Sequence, residues 1–323
     1  MALVPTKDNT NREKENGGDA GQFQTWKLKR VITGNKGWIS SISFDPSNEW
    51  FCVGSHDETI KIFGLVRAEQ KLTLTGHIGA VRTTQVSRRH PYLFSAGDDR
   101  DVRCWDLTIN KVNRMYHGHL SSIDCLDIHP TMDLIASAGR DAVVRLWDIR
   151  TKESIDVLEG HTSTVFDVKF QETSPHILSA SADGMIRGWD LYTGKCVQCY
   201  TQHKKGVRCL EMWGDHNMMS GSSDVVKEWD KNVLVSDIYA PKSTVNTIKR
   251  NEDGVVFFGE NDGTLSVYSE KDHRVMQTMK NIIQPGSLQS EGGIICSSFD
   301  ETGMRYFTGC VDKTIKMYVP MVE

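Results

Sequence analysis

GHTSTVFDVKFQETSPHILSASADGMIRGWD, residues 160–190, holds the reading that decides the fold. Its first segment, Val165 to Phe170, alternates apolar and polar residues with the period of a half-buried strand. A turn at Ser174-Pro175 leads into Ile177 to Ser181, a tight turn at Asp183-Gly184 into Met185 to Trp189. Past the quoted stretch, Tyr192 to Lys195 turn the chain into a fourth strand, Cys196 to Tyr200. The opening Gly-His recurs at Gly76-His77, Gly118-His119 and Gly160-His161, at an interval of 42, with Gln202-His203 one step later. The closing Trp-Asp keeps step at Trp105, Trp147, Trp189 and Trp229. Four antiparallel strands repeated at a fixed period in the forties form the blades of a β-propeller.

Counting by the third strand gives seven ends: Phe63, Trp105, Trp147, Trp189, Trp229, Tyr268 and Tyr318. An aspartate stands six residues earlier in six of them, at 57, 99, 141, 183, 262 and 312. In the fifth, Asp224 stands five residues before Trp229, which predicts a shortened turn. The expected fold is therefore all-β, a seven-bladed propeller of WD repeats over residues 26–320. The last unit lacks a fourth strand, and WKLKRVIT (26–33) has no unit of its own. Pairing the two closes the ring and removes two exposed sheet edges. Residues 1–25 are polar, poor in apolar positions, and read as a disordered tail.

The 323 residues carry a formal net charge of −4, against bulk electrostatic binding of nucleic acid. Eight cysteines, the absence of an Asn-x-Ser/Thr sequon and of an apolar leader suggest a reducing, intracellular setting. No apolar run reaches the roughly 18 residues of a membrane span.

Ser, His and Asp recur together, which invites comparison with a nucleophilic triad. One set is His77, Ser95, Asp99 and Trp105; the next is His119, Ser137, Asp141 and Trp147; the third is His161, Ser179, Asp183 and Trp189. A catalytic site is needed once, a structural device in every blade, so these twelve residues read as structural tetrads. Cys196 and Cys199 lie three apart on a strand, on opposite faces, with no second pair nearby. The chain is thus expected to be no enzyme and to carry no catalytic residue, metal, cofactor or small-molecule substrate.

Attention passes to one mouth of the ring. Trp38, Arg82, Asp124, Phe166, Arg208 and Asn246 follow the blade-opening turns, while His56, Asp98, Arg140 and Asn261 precede the repeated aspartate. Trp, Phe and Arg at loop ends are the types that dominate protein interfaces. Trp38, Arg82, Asp124, Arg140, Phe166 and Arg208 are the candidate partner-binding rim. Lys204-Lys205 adds basic charge, suited to an acidic partner or RNA phosphate.

Beyond the repeat, several stretches resemble the pleiotropic regulator family of spliceosomal WD-repeat proteins. They are WKLKRVITG (26–34), LTGHI (74–78), PYLFS (91–95), YHGHLS (116–121), HKKGVR (203–208) and QPGSL (284–288) followed by Ser290-Glu291 and Gly293-Ile294. The last lies where the marker interval stretches to 50 residues, from Tyr268 to Tyr318. The resemblance implies a nuclear scaffold in pre-mRNA splicing, a component of the nineteen complex. Its implied partners are an SNW-domain protein and a Myb-like subunit, with contact to small nuclear RNA open. Members it resembles carry a long amino-terminal extension, where about 25 residues precede the first strand here. Asn35 replaces the first His, Phe63-Gly64 the first Trp-Asp, and Pro241 stands near where blade six should carry Gly-His. Blades one and six are accordingly expected to be the looser ones.

An alternative role rests on Trp147-Asp148-Ile149-Arg150, which matches the Trp-Asp-x-Arg ending of propellers that dock on a cullin-ligase adaptor. Asp148 and Arg150 would then face the adaptor while the rim selects substrates. A G-protein β subunit is disfavoured, because no amino-terminal coiled-coil pattern precedes the repeats.

Overall fold

The computed structural model describes residues 25–214, 217–231 and 233–321. The expected tail, residues 1–25, lies outside them except for Thr25. Seven four-stranded antiparallel sheets are arranged as blades, six of them in simple sequence order. The quoted unit forms strands at Val165–Phe170, His176–Ser181, Ile186–Asp190 and Cys196–Tyr200. Met185 belongs to the turn, where Asp183 accepts its amide, so the third strand starts one residue late.

The seventh sheet runs in the order Trp26–Ile32, Ile315–Pro320, Tyr306–Cys310, Ile294–Phe299. The amino-terminal strand is thus the outer strand of the last blade, antiparallel, with Trp26 opposite Pro320 and Ile32 opposite Ile315. Its anchor is Trp26, which is buried and set edge-on to Phe257 at 5.0 Å. The Gln277 side chain of blade six clasps the Trp26 backbone, with two hydrogen bonds of 2.9 Å.

No single core fills the molecule. Buried side chains form seven clusters, one for each seam between neighbouring blades. Trp147 of blade three, for example, packs with Phe94, Val102 and Tyr116 of blade two. Such stacking makes stability a sum over nearest neighbours.

Because each blade runs inner, second, third, outer, the links between blades and the second-to-third turns share one end, the upper face. The first-to-second and third-to-fourth turns share the lower face. One further feature repeats in all seven blades. The pairing of inner and second strand slips by one residue near the upper face, skipping Ser40, Arg82, Asp124, Phe166, Arg208, Asn246 and Ile295. A bulge leaves its extra residue unpaired and re-aims the side chain.

Candidate functional site: the upper mouth of the channel

The seven bulges build the mouth. Five of their residues belong to the six that follow the blade-opening turns in the sequence: Arg82, Asp124, Phe166, Arg208 and Asn246, the first four of them in the candidate rim. The sixth, Trp38, is not a bulge residue: Ser40 occupies that row in blade one, and Trp38 precedes it in the loop. Trp38 is 46% exposed and lies against the His56 ring at 5.3 Å. Ile295, the seventh bulge residue, was not legible, because the long connection before it hides the period. Above the bulges, His56, Arg140 and Asn261 line the same channel, whose volume is about 1270 Å³.

Neighbouring blades are linked through this row. Arg82 Nε donates to Asp98 at 2.7 Å and stands 3.5 Å from Asp124 Oδ1. Arg140 lies 3.8 Å from the other Asp124 oxygen. Burial pushes the Asp124 carboxyl above its ordinary range, against the pull of Arg82 and Arg140. Arg208 stacks over Phe166 at 5.1 Å and donates to Asn246 at 3.2 Å. It has no carboxylate partner among the described residues, whereas Lys205 is matched by Asp224 at 2.7 Å. The mouth therefore offers an aromatic-backed guanidinium, a second exposed arginine at 140, and the indole of Trp38. The 281–293 connection adds Leu288, Ser290 and Glu291 to the lining, so the insertion singled out in the sequence reaches the mouth.

Deeper in the channel the inner strands carry Asp127, Asp167, Lys169, Glu211 and Lys249. Asp127 and Asp167 each accept a backbone amide from the next blade, Phe170 and Leu210, at 2.8 Å. Burial raises both carboxyls, opposed first by the charge of Lys169. Burial alone would lower the Lys169 ammonium, but Asp127, Asp167 and Glu211 outweigh it and hold the proton on. Nothing in the alternation of these strands distinguished this belt beforehand.

The tetrads form relays in blades two, three and four. In blade three the Trp147 indole donates to Ser137 Oγ at 2.8 Å, with His119 Nε2 2.7 Å from that oxygen and its Nδ1 2.7 Å from Asp141. In blade two Trp105 donates to Ser95 at 2.8 Å, and His77 bridges Ser95 and Asp99 at 2.6 Å on each side. In blade four Trp189 donates to Ser179 at 2.8 Å, and His161 bridges Ser179 at 2.7 Å and Asp183 at 2.9 Å. The carboxylate makes Nδ1 the protonated nitrogen, so Nε2 accepts from serine.

Ser95, Ser137 and Ser179 lie inside their blades. Ser95 is 0% exposed, and so are Ser137 and Ser179; each hydroxyl lies beneath its tryptophan, out of reach of a substrate or partner. Each serine takes its indole hydrogen bond from its own blade. Burial raises Asp99, Asp141 and Asp183, but the hydrogen bond from each histidine and the other polar contacts of each site outweigh it and leave all three below the usual carboxylate range.

Sequence reading overlooked a fifth member, a cation four residues after the aspartate. Arg103 bonds the carbonyl of Gly76 and lies 3.1 Å from Asp99, while Lys61 reaches Gly34 O at 2.7 Å. Lys316 and Asp312 make the same pair in blade seven at 2.7 Å, wholly buried. The signal was present in the chain as Asp-x-x-x-Lys/Arg.

The degenerate blades differ in kind. In blade five His203 and Trp229 share Ser220, but the short turn sends Asp224 out to Lys205. Burial and the neighbouring Lys227 drive the His203 imidazole down to about 4. In blade six the buried Glu260 takes over, accepting from Tyr239 Oη at 2.5 Å and from the amide of Ser243 at 3.0 Å. In blade one the Asn35 amide finds no hydrogen-bond partner among the described residues.

Asp148 and Arg150 sit on the lower face, away from the mouth. Asp148 accepts the Arg150 amide at 2.8 Å, a turn device repeated at Asp106 and Asp190. The Arg150 guanidinium is forked onto Asp133 at 2.8 and 2.6 Å. Cys196 and Cys199 are exposed free thiols, and no metal-type cluster of His, Cys, Asp and Glu occurs among the described residues.

Comparison with known proteins places this geometry. The model of the WD domain, G-beta repeat, matches residues 26–64, 68–106, 110–148, 152–190 and 194–230, which leaves residues 231–323 unmatched. Pre-mRNA-splicing factor PRP46 of Candida glabrata is 57% identical over 298 residues, 91% of this chain and 70% of that protein. The Saccharomyces cerevisiae PRP46 is 56% identical over the same length, covering 66% of that protein. Pleiotropic regulator PRL2 of Arabidopsis thaliana is 49% identical over 297 residues, 62% of its length. Identity of this depth over nine-tenths of its length leaves one conclusion: the chain belongs to the pleiotropic regulator family of spliceosomal WD-repeat proteins.

Proposed function

We propose that the chain is a non-catalytic scaffold of pre-mRNA splicing, acting in the nucleus within the nineteen complex. The observation that carries this is the 57% identity to a splicing factor over the whole propeller. In this reading the upper mouth holds protein partners, an SNW-domain protein and a Myb-like subunit among them. Arg208 on Phe166, Arg140 and Trp38 are the anchoring side chains, since arginines and aromatics with unsatisfied contacts carry most interface energy. With Lys205 neutralised by Asp224, the basic charge left is discrete, which favours a protein segment with a carboxylate over continuous RNA phosphate.

The test is affinity purification of the tagged chain, with mass spectrometry of proteins and sequencing of RNA. Recovery of spliceosomal proteins and small nuclear RNAs supports the scaffold role, and their absence rejects it. Arg82 is tied to Asp98 and Asp124, so its charge reversal would disturb the fold. Arg140→Gln with Arg208→Glu is the informative pair. It should weaken capture of at least one partner tenfold or more while the melting midpoint holds within about 2 °C, a shift worth under roughly 1 kcal/mol.

A further inference from the structure

The net charge of −4 is spread unevenly around the ring. Each outer strand, taken with the turn that leads into it, forms one stretch of the side wall. Over blades two to five (106–116, 148–159, 190–200 and 230–239) these stretches hold six lysines and arginines against eight carboxylates. Over blades six, seven and one (269–280, 26–32 and 64–75) they hold eight against three. One of those three, Glu270, is already taken by the Arg250 fork at 3.0 and 2.8 Å.

The three basic stretches are joined. Gln277 of blade six holds the Trp26 backbone, and Arg30 of the closing strand donates to the Val66 carbonyl of blade one at 3.1 Å. Around that junction, toward the lower face, Lys271, Arg274, Lys27, Arg67 and Lys71 stand exposed with Arg30. Apart from the Arg30 bond, none of these six side chains has a hydrogen bond or ion pair among the described residues. Like charges so gathered repel and weaken a fold, so bonding within the chain does not account for them. Charge on an outer edge also deters pairing with another chain, but blades two, three and five do that with both signs present.

We propose that the wall of blades six, seven and one binds the phosphate backbone of double-stranded RNA. Long lysine and arginine side chains without partners of their own are the usual donors to phosphate. The exposed large apolar residues of these stretches are Val31, Val66 and Val275, a type that rarely anchors a protein interface. No Trp, Tyr or Phe is exposed in them, so the bases of a single strand find nothing of that kind to stack on. A duplex is recognised largely by shape and backbone, which suits donors spread over three blades. The mouth differs, since there Arg208 is fixed on Phe166 and Asn246. Only the choice of RNA over DNA rests on the proposed splicing role.

The experiment titrates a fluorescent RNA duplex of about 16 base pairs with the full chain, at salt from about 50 to 200 mM. Expected is a Kd of roughly 1–100 µM near physiological salt, with a log–log salt slope of about −4, as for four to five phosphates. The triple variant Lys27→Gln, Lys71→Gln, Arg274→Gln removes one cation from each stretch. It should bind roughly tenfold more weakly and flatten the slope by about 2–3, with an unchanged melting point, because none of the three is bonded. The same change on the opposite wall, Lys111→Gln, Lys152→Gln, Lys195→Gln, should leave the affinity within about twofold. Absence of duplex binding, an equal loss in the opposite-wall variant, or tighter binding of the unpaired strand would each overturn the proposal. So would a polyglutamate peptide that binds as tightly and is lost in the same variant, or a DNA duplex bound much more tightly than RNA. No spliceosomal factor enters these titrations, so their failure and failure of the affinity purification are separate results.

Discussion

At Ser137 an indole and an imidazole meet on one buried oxygen. Replacing it by alanine leaves the Trp147 indole N–H and the His119 Nε2 without their partner in a dry site, while His119 Nδ1 keeps Asp141. At about 1–3 kcal/mol for each of the two stranded groups, Ser137→Ala should cost roughly 2–6 kcal/mol in urea unfolding. Ser95→Ala and Ser179→Ala strand the same pair of groups in blades two and four and should cost as much. Asn35→Ala should cost less than about 0.5 kcal/mol, because no bond is lost and a desolvated amide is removed. His203 adds a pH dependence. Its folded value, about 4, lies below the ordinary 6.5, so the unfolded chain binds the extra proton between those limits. Stability is full above pH 6.5 and falls as pH drops toward 4, by up to about 3 kcal/mol. His161, lowered by burial in spite of Asp183, contributes in the same direction. Unfolding midpoints at pH 7 and 4.5 should differ less in His203→Gln than in the parent. The tetrads could be read from the chain because their spacing repeats. Glu260 could not, since it replaces a histidine from another place in the blade and only the folded sheet brings it to Tyr239 and Ser243.

The blade is the unit in which such exchanges show. Blade one has lost the relay and gained nothing for Asn35, whereas blade six rebuilt its relay around a buried carboxylate. Equal looseness of the two, as their missing markers suggest, is therefore not the outcome the packing favours. Amide exchange should run fastest in Trp50–Ser55 and Thr59–Gly64 of blade one relative to the same strands of blade three, with blade six closer to blade three. Strand boundaries came out of the alternation to within a residue in the unit first read, because each strand has one face in a seam. The mouth was partly legible for the same reason. Its residues sit six places after the opening Gly or its counterpart, yet their convergence depends on a bulge that periodicity conceals, and in blade one that offset gives Ser40, where the aromatic Trp38 drew the reading instead.

The closed ring makes its two ends interdependent. A chain beginning at Gly34 would lose the buried Trp26 and Ile32 and leave Ile315–Pro320 as a bare edge. Burying two such side chains is worth about 4 kcal/mol, so the melting midpoint followed by circular dichroism should drop by roughly 6 °C. An unchanged midpoint would show that the strand merely decorates the ring. The same pairing sets an order of events during synthesis. Trp26 leaves the ribosome 294 residues ahead of Pro320, the residue it must lie against. At about 5–20 residues per second, the oldest strand waits on the order of 15–60 s for the youngest. Through that interval the nascent chain carries a strand whose Trp26 and Ile32 have nothing to pack against, beside an incomplete circle of blades. The last blade therefore cannot close until its outer strand has waited out the making of the whole ring.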